Sequence, residues 1–280
     1  MNIPVVRTGE GWWVESGTGR LHRVTTSAGT TADLLADRAA VTEAAARAAA
    51  DPDAGQLAQG ELLSPLTTPC RVVARMVNYP SHAVDSGFDP DTVPPAFFRK
   101  ASGSVSGPYQ DIVRPSHVRF LDYEVELGLV MGADLPVGTQ VTDSTLSDYV
   151  AALVVADDLA RLSDLRLTLQ VNGATRQDRT VTDMIVKPAR ALTLLSRFQT
   201  LQPGDVLLTG TPGGTALNSP GKLATTLAAL LPPHKRWQKF FARQQHNPHY
   251  LQDGDVVTAR IATDDGVLDL GEQSTMVHTH

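Results

Sequence analysis

From residue 71 onward the chain is built of short apolar runs, each closed by Pro or Gly, and this rhythm restricts the fold more than any other feature. The runs at 71–77, 95–99, 123–131, 150–156, 168–172, 205–209 and 255–262 are of strand length. Long helices do not alternate with them, so a β-dominated sandwich, roll or barrel is expected rather than a doubly wound parallel sheet. Helical spacing predicts helices over 143–150, 158–167 and 189–198. A further helical segment is expected over 220–247, broken at Pro232 and Pro233. Ahead of this body, residues 3–26 predict short strands with a hairpin turn at Gly17-Thr18-Gly19. Residues 31–50 predict one helix capped by Thr30 or Thr31. A connector rich in Pro and Gly fills 51–70. The expected organisation is therefore a small N-terminal domain over 1–66 and a larger one over 67–280.

Bulk properties narrow the function classes. A net charge of −6 lacks the basic excess of a nucleic-acid binder. No apolar run approaches the ~20 residues that span a bilayer, and the N-terminus lacks a signal pattern. Neither nucleic acid nor a membrane is an expected partner. Cys70 is the single cysteine, which rules out an intramolecular disulfide and suits a reducing, cytoplasmic setting. Arg far outnumbers Lys, as in proteins of GC-rich bacterial genomes.

The strongest local signal for chemistry is the segment LDYEVELGLVMG, residues 121–132. On a strand, Glu124 and Glu126 share one face, and Tyr123, Val125 and Leu127 share the other. A strand with one solvated face explains this alternation. So does a cation site, because like charges on a buried face repel unless a cation lies between them. Carboxylate oxygens suit Mg²⁺, Mn²⁺ or Ca²⁺ rather than zinc. Asp157 follows an apolar run and would be a third ligand or a helix cap. His82 and Asp85, three residues apart, would meet on a helix as an acid/base pair or as a surface pair. The stretch 201–216 reads as a strand ending in a Gly-rich loop. It either exposes N–H groups and the Thr209 and Thr211 hydroxyls to an anion or simply turns tightly. His246 and His249 read as surface residues, and Cys70 as a small buried one.

These pieces occur in the order of a known family, and the chain resembles the fumarylacetoacetate hydrolase family. The family's N-Y-x-x-H-x-x-E appears as Asn78, Tyr79 and His82, with Asp85 in the Glu position. Its F-x-K stretch appears with Lys100, and its D-Y-E-V-E-L is matched letter for letter at 122–127. Its N-D-x-x-x-R appears as Ala156, Asp157 and Arg161. The stretches 171–185, 196–214, 251–261 and 266–273 also follow the family pattern. Two departures stand out. Only nine residues separate Arg161 from Val171, so the family's lysine-bearing segment is missing. Residues 217–249 look like a helical insert in which Trp237, Phe240 and Phe241 alternate with basic residues.

The resemblance implies an α+β, β-dominated fold, a mixed β-sandwich roll of the family's C-terminal type with a small N-terminal α/β domain, and a homodimer. It implies a divalent cation, Mg (or Mn, Ca), held by Glu124, Glu126 and Asp157. It makes His82 and Asp85 the catalytic pair, and Tyr79, Lys100, Arg161, Gly210 and Thr211 the substrate contacts. The implied chemistry is enolate formation in a small oxo-acid or dicarbonyl substrate, ending in C–C cleavage of the acylpyruvate hydrolase or decarboxylase type. A repurposed isomerase, cyclase or dehydratase of secondary metabolism is the alternative, and a non-catalytic relic a further one. Arg75, Lys100, Arg161 and Lys187 are the residues that could replace the missing lysine.

Overall fold

The protein is described by a computed structural model over residues 4–16, 18–56, 62–151, 159–219 and 231–280. Its N-terminal part is a three-stranded antiparallel sheet of Val5–Thr8, Gly11–Glu15 and Leu21–Arg23. Trp12 and Val14 from this sheet, and Val24 just past its last strand, pack with Leu34, Val41, Ala44 and Ala48 from the helical stretch that follows. That stretch is two helices, Thr31–Ala36 and Arg38–Ala50, and not the single one expected. Asp37 leaves helical geometry between them and is held there by the Thr26 hydroxyl, which donates to its carboxylate at 2.6 Å. No Gly or Pro marks the break, so local sequence could not announce it. Thr30 caps the first helix in a reciprocal capping box with Asp33, as expected.

The body consists of two five-stranded sheets. One runs Ala174–Thr180, Leu165–Val171, Val256–Thr263, Asp269–Thr279 and Ile112–Arg114 from edge to edge. The other runs Ala96–Lys100, Val72–Met76, Val206–Leu208, Gly128–Met131 and Val150–Ala151. Pairing is antiparallel except for Val206–Leu208 beside Val72–Met76 and Asp269–Thr279 beside Ile112–Arg114. The main core draws Leu165, Leu167 and Leu169 from the first sheet, Val73, Leu129 and Leu207 from the second, and Leu192 and Leu195 from the helix Pro188–Ser196. The β-dominated α+β fold expected from the sequence is the fold observed.

Local differences have local reasons. The helix expected over 158–167 is a 3-10 turn, Leu159–Asp164, and the strand Leu165–Val171 begins at once. Its alternating burial of Leu165, Leu167, Leu169 and Val171 outweighs any helical tendency. Strands at Ile112–Arg114 and Ala174–Thr180 are not expected, because the first is only three residues long and the second is too polar to show an apolar run. The strand Asp269–Thr279 falls where the resemblance places a C-terminal strand, at 266–273, and runs beyond it. In the C-terminal half of the proposed insert, the helix Pro233–Gln244 starts just after Pro232, in agreement with the break expected there. Its Phe241 stacks on Phe120 at 6.0 Å between ring centres, and Gln244 accepts the Tyr250 hydroxyl at 3.0 Å. The residues 220–230 lie outside the described residues.

Candidate active site

Segments far apart in sequence converge on the loop 209–214, which leaves the central strand Val206–Leu208. Thr209 bonds the carbonyl of Leu127 through both its N–H and its hydroxyl, each at 3.0 Å. The Gly210 N–H donates to Glu126 Oε2 at 2.6 Å. At the far end of the loop, the Gly213 N–H donates to Ser81 Oγ and the Gly214 N–H to Asp85 Oδ2, both at 3.0 Å. The loop thus ties the carboxylate segment to the short helix Pro80–Asp85. Two glycines are required for this course. Gly210 has φ 95°, and a Cβ there would lie 2.7 Å from Asn78 Cβ. Gly214 has φ 102°, and a Cβ there would lie 2.0 Å from the Arg176 carbonyl oxygen.

The approach to the helix is equally constrained. Val77, β-branched and buried, sits at φ 46°, a position such residues rarely adopt. The next residue, Asn78, holds it in place. Its side-chain amide donates to the carbonyls of Thr209 and Val186 and accepts from the Val186 N–H, all within 2.9 Å.

The carboxylates lie as the alternation predicts. Tyr123, Val125 and Leu127 are buried, Glu126 is half-buried and Glu124 is exposed. The regular strand begins only at Gly128, however, so 123–127 is extended chain outside the ladder. A side chain takes the ladder's place: the Val125 N–H donates to Gln177 Oε1 at 2.9 Å. Gln177 Nε2 then donates to Thr211 Oγ1 at 2.8 Å and to the Pro212 carbonyl at 2.7 Å. Because Thr211 accepts from Gln177, its own proton is left for another acceptor. Gln177 was not singled out in the sequence, since ATRQDRT shows no apolar periodicity. Asp122 was also missed as an anchor. Its two oxygens accept the N–H groups of Ala216 and Leu217 at 2.7 and 2.8 Å, fixing the loop's exit.

Electrostatics set the pair apart. Although the Glu124 side chain keeps 40% of its surface exposed, partial desolvation of its carboxyl, then the neighbouring Glu126, push it up to about 7, with Lys100 opposing the shift. Lys100 Nζ lies 3.1 Å from Glu126 Oε1 and 3.8 Å from Glu124 Oε2. Among the four basic residues that could replace the missing lysine, Lys100 reaches the carboxylates. Arg75 is buried against Phe97, with Nε and Nη2 unpartnered among the described residues. Arg161 pairs with Asp164 at 3.1 Å and Asp265 at 2.9 Å, and Lys187 donates to the carbonyls of Val181 and Thr182. The carboxylate pair offers hard oxygens crowded enough to raise one pKa, which is the donor chemistry that a divalent cation fits. Asp157 lies outside the described residues. Among the described residues, no three His, Cys, Asp or Glu side chains are grouped closely enough to share an ion.

The expected acid/base pair is assembled differently. Asp85 spends its carboxylate on Gly214, and no hydrogen bond joins it to His82. The imidazole Nδ1 is buried without a partner among the described residues, and burial holds the ring below its ordinary pKa, with Asp85 and Asp122 opposing. Tyr79 is fully buried, its hydroxyl unpartnered among the described residues and its pKa raised by burial and then by Asp183 and Glu126. His246 and His249 are exposed. Among the described residues, no helix is long and apolar enough to cross a membrane.

Comparison with known proteins fits this geometry. The profile "Fumarylacetoacetate (FAA) hydrolase C-terminal" matches residues 71–161 and 152–277. The rat (Rattus norvegicus) protein named oxaloacetate tautomerase Fahd2a, mitochondrial, is 29% identical over 196 residues, 57% of this chain and 61% of the relative. A bifunctional isomerase/decarboxylase of 4-hydroxyphenylacetate degradation from Salmonella dublin is 31% identical over 192 residues, 56% of this chain and 44% of that protein. The chain thus spans about three-fifths or less of the length of these curated relatives. The crystal structure of maleylpyruvate hydrolase from Sphingobium sp. SYK-6, in complex with manganese(II) ion and pyruvate, superimposes with a TM-score of 0.68. It is 21% identical, covers 100% of this chain and 99% of its own, and so speaks to the fold alone.

Proposed function

The chain belongs to the fumarylacetoacetate hydrolase family, and on that premise we propose that it is a metal-dependent enzyme cleaving a C–C bond in a small 2-oxo acid or 1,3-dicarbonyl compound. The observation behind this reading is the loop 209–214, which ties Glu126 at one end to the helix bearing His82 and Asp85 at the other. Glu124 and Glu126, with Asp157, would hold the cation. When bound, it would polarise the substrate's carbonyl oxygens and stabilise the negative charge that develops as the bond breaks.

The chain's own residues supply the rest. The Thr211 hydroxyl, made a donor by Gln177, can hold a substrate oxygen. His82, kept neutral by burial, can accept a proton from water or from the carbon beside the carbonyl. A second reading, tautomerisation, is favoured by one feature: Asp85 is bonded to Gly214 and not to His82, so the pair is not arrayed to drive water attack. The relative named oxaloacetate tautomerase points the same way.

Protein loaded with Mn²⁺ should be assayed against oxaloacetate and a simple acylpyruvate, following enol absorbance and product release. Turnover by wild type, lost in Glu124→Ala/Glu126→Ala, is the expected result. Release of cleavage products supports the first reading, and keto–enol exchange without cleavage supports the second. Equal activity in the double variant would remove the carboxylates from the mechanism.

A further inference from the structure

Lys100 ends the edge strand Ala96–Lys100 and pairs in register with Val72. Its side chain therefore leaves the sheet on the face of Val72, Val130 and Val206, away from the main core. There its ammonium lies between two carboxylates, 3.1 Å from Glu126 and 3.8 Å from Glu124. Glu126 is anchored independently of it, because its other oxygen accepts the Gly210 N–H at 2.6 Å. The Glu126 side chain is 7% exposed, whereas that of Lys100 is 33% exposed and sits on a flexible four-carbon stem. Of the two partners, Lys100 is the one free to move.

From this asymmetry we propose that Lys100 is the resident counter-ion of the carboxylate pair, and that a divalent cation loads by exchange with its ammonium. The inference rests on the reading of Glu124 and Glu126 as cation ligands. A hard cation needs the same carboxylate oxygens at about 2.0–2.6 Å, which puts it within a few ångströms of any ammonium that stayed. Two positive centres that close repel strongly, even with solvent screening. The anchored carboxylates stay and the lysine swings out. Lys100 thus stabilises the metal-free pair and weakens apparent metal affinity, both through one charge. The exchange also frees an ammonium at the rim of the site, where an anionic substrate would meet it.

The test is Mn²⁺ titration of chelator-treated wild type, Lys100→Gln and Lys100→Arg, read by electron paramagnetic resonance. Lys100→Gln should bind Mn²⁺ at least about tenfold more tightly than wild type, and Lys100→Arg close to wild type. Binding by Lys100→Gln alone would show the same exchange with the lysine winning it. Equal or weaker binding in Lys100→Gln overturns the exchange and leaves the cation site standing. No binding by any form removes the cation site as well. A second measurement uses unaltered protein, so it does not depend on the variants folding: acylation of Lys100 by an amine-directed reagent, followed by mass spectrometry. Mn²⁺ should speed this acylation several-fold, and an unchanged or slower rate overturns the proposal.

Discussion

Glu124 illustrates how a single residue can be set against itself. Its carboxyl titrates near 7, above the ordinary 4.5, because burial and Glu126 disfavour its charge. The folded protein therefore binds more protons than the unfolded chain between those values. Metal-free stability should fall as pH rises through that window, and Glu124→Gln should flatten the fall in urea denaturation at pH 5 and 8. The effect is small, because the side chain keeps 40% of its surface exposed and solvent screens the pair. His82 has the opposite sign. Its folded pKa lies below the ordinary 6.5, so its neutral form persists into mildly acidic solution. The acid limb of kcat/KM should fall below pH 6.5, and a limb at or above that value would argue against His82 as the base.

At the scale of elements, the loop 209–214 depends on a side chain rather than on a ladder. Gln177 is 1% exposed and satisfies the Val125 N–H, the Thr211 hydroxyl and the Pro212 carbonyl together. Gln177→Leu should cost about 2–4 kcal/mol in denaturant unfolding, because it strands buried polar groups that have no water to turn to. A loss below 1 kcal/mol would mean the loop finds other partners. The aromatic helix Pro233–Gln244 is less tightly held. Phe241 stacks on Phe120, yet Trp237 and Phe241 remain 60% and 44% exposed.

For the whole molecule, the sheets bring strands distant in sequence side by side, so a ligand on Glu124 and Glu126 bears on global unfolding. At a hundredfold excess over its dissociation constant, Mn²⁺ should stabilise the fold by about 2.7 kcal/mol. Calorimetry should show the thermal transition rising accordingly in wild type and staying fixed in Glu124→Ala/Glu126→Ala.

Much of this was legible in the residues alone. The alternation at 121–132 places Glu124 and Glu126 together and buries Val125 between them, because a strand's period of two needs no tertiary information. The Pro- and Gly-closed apolar runs indicate a β-dominated body, and the ordered motifs identify the family. Other features belong to tertiary structure. The break at Asp37 depends on Thr26, eleven residues earlier. The strand Ala174–Thr180 is polar and becomes a strand only because Leu165–Val171 offers it a partner. The bond from Asp85 to Gly214, the clamp of Gln177 and the choice of Lys100 over Arg161 as counter-ion all join residues by long-range contact. Such contacts leave no local periodicity, because the partner that decides each residue's environment lies elsewhere in the chain.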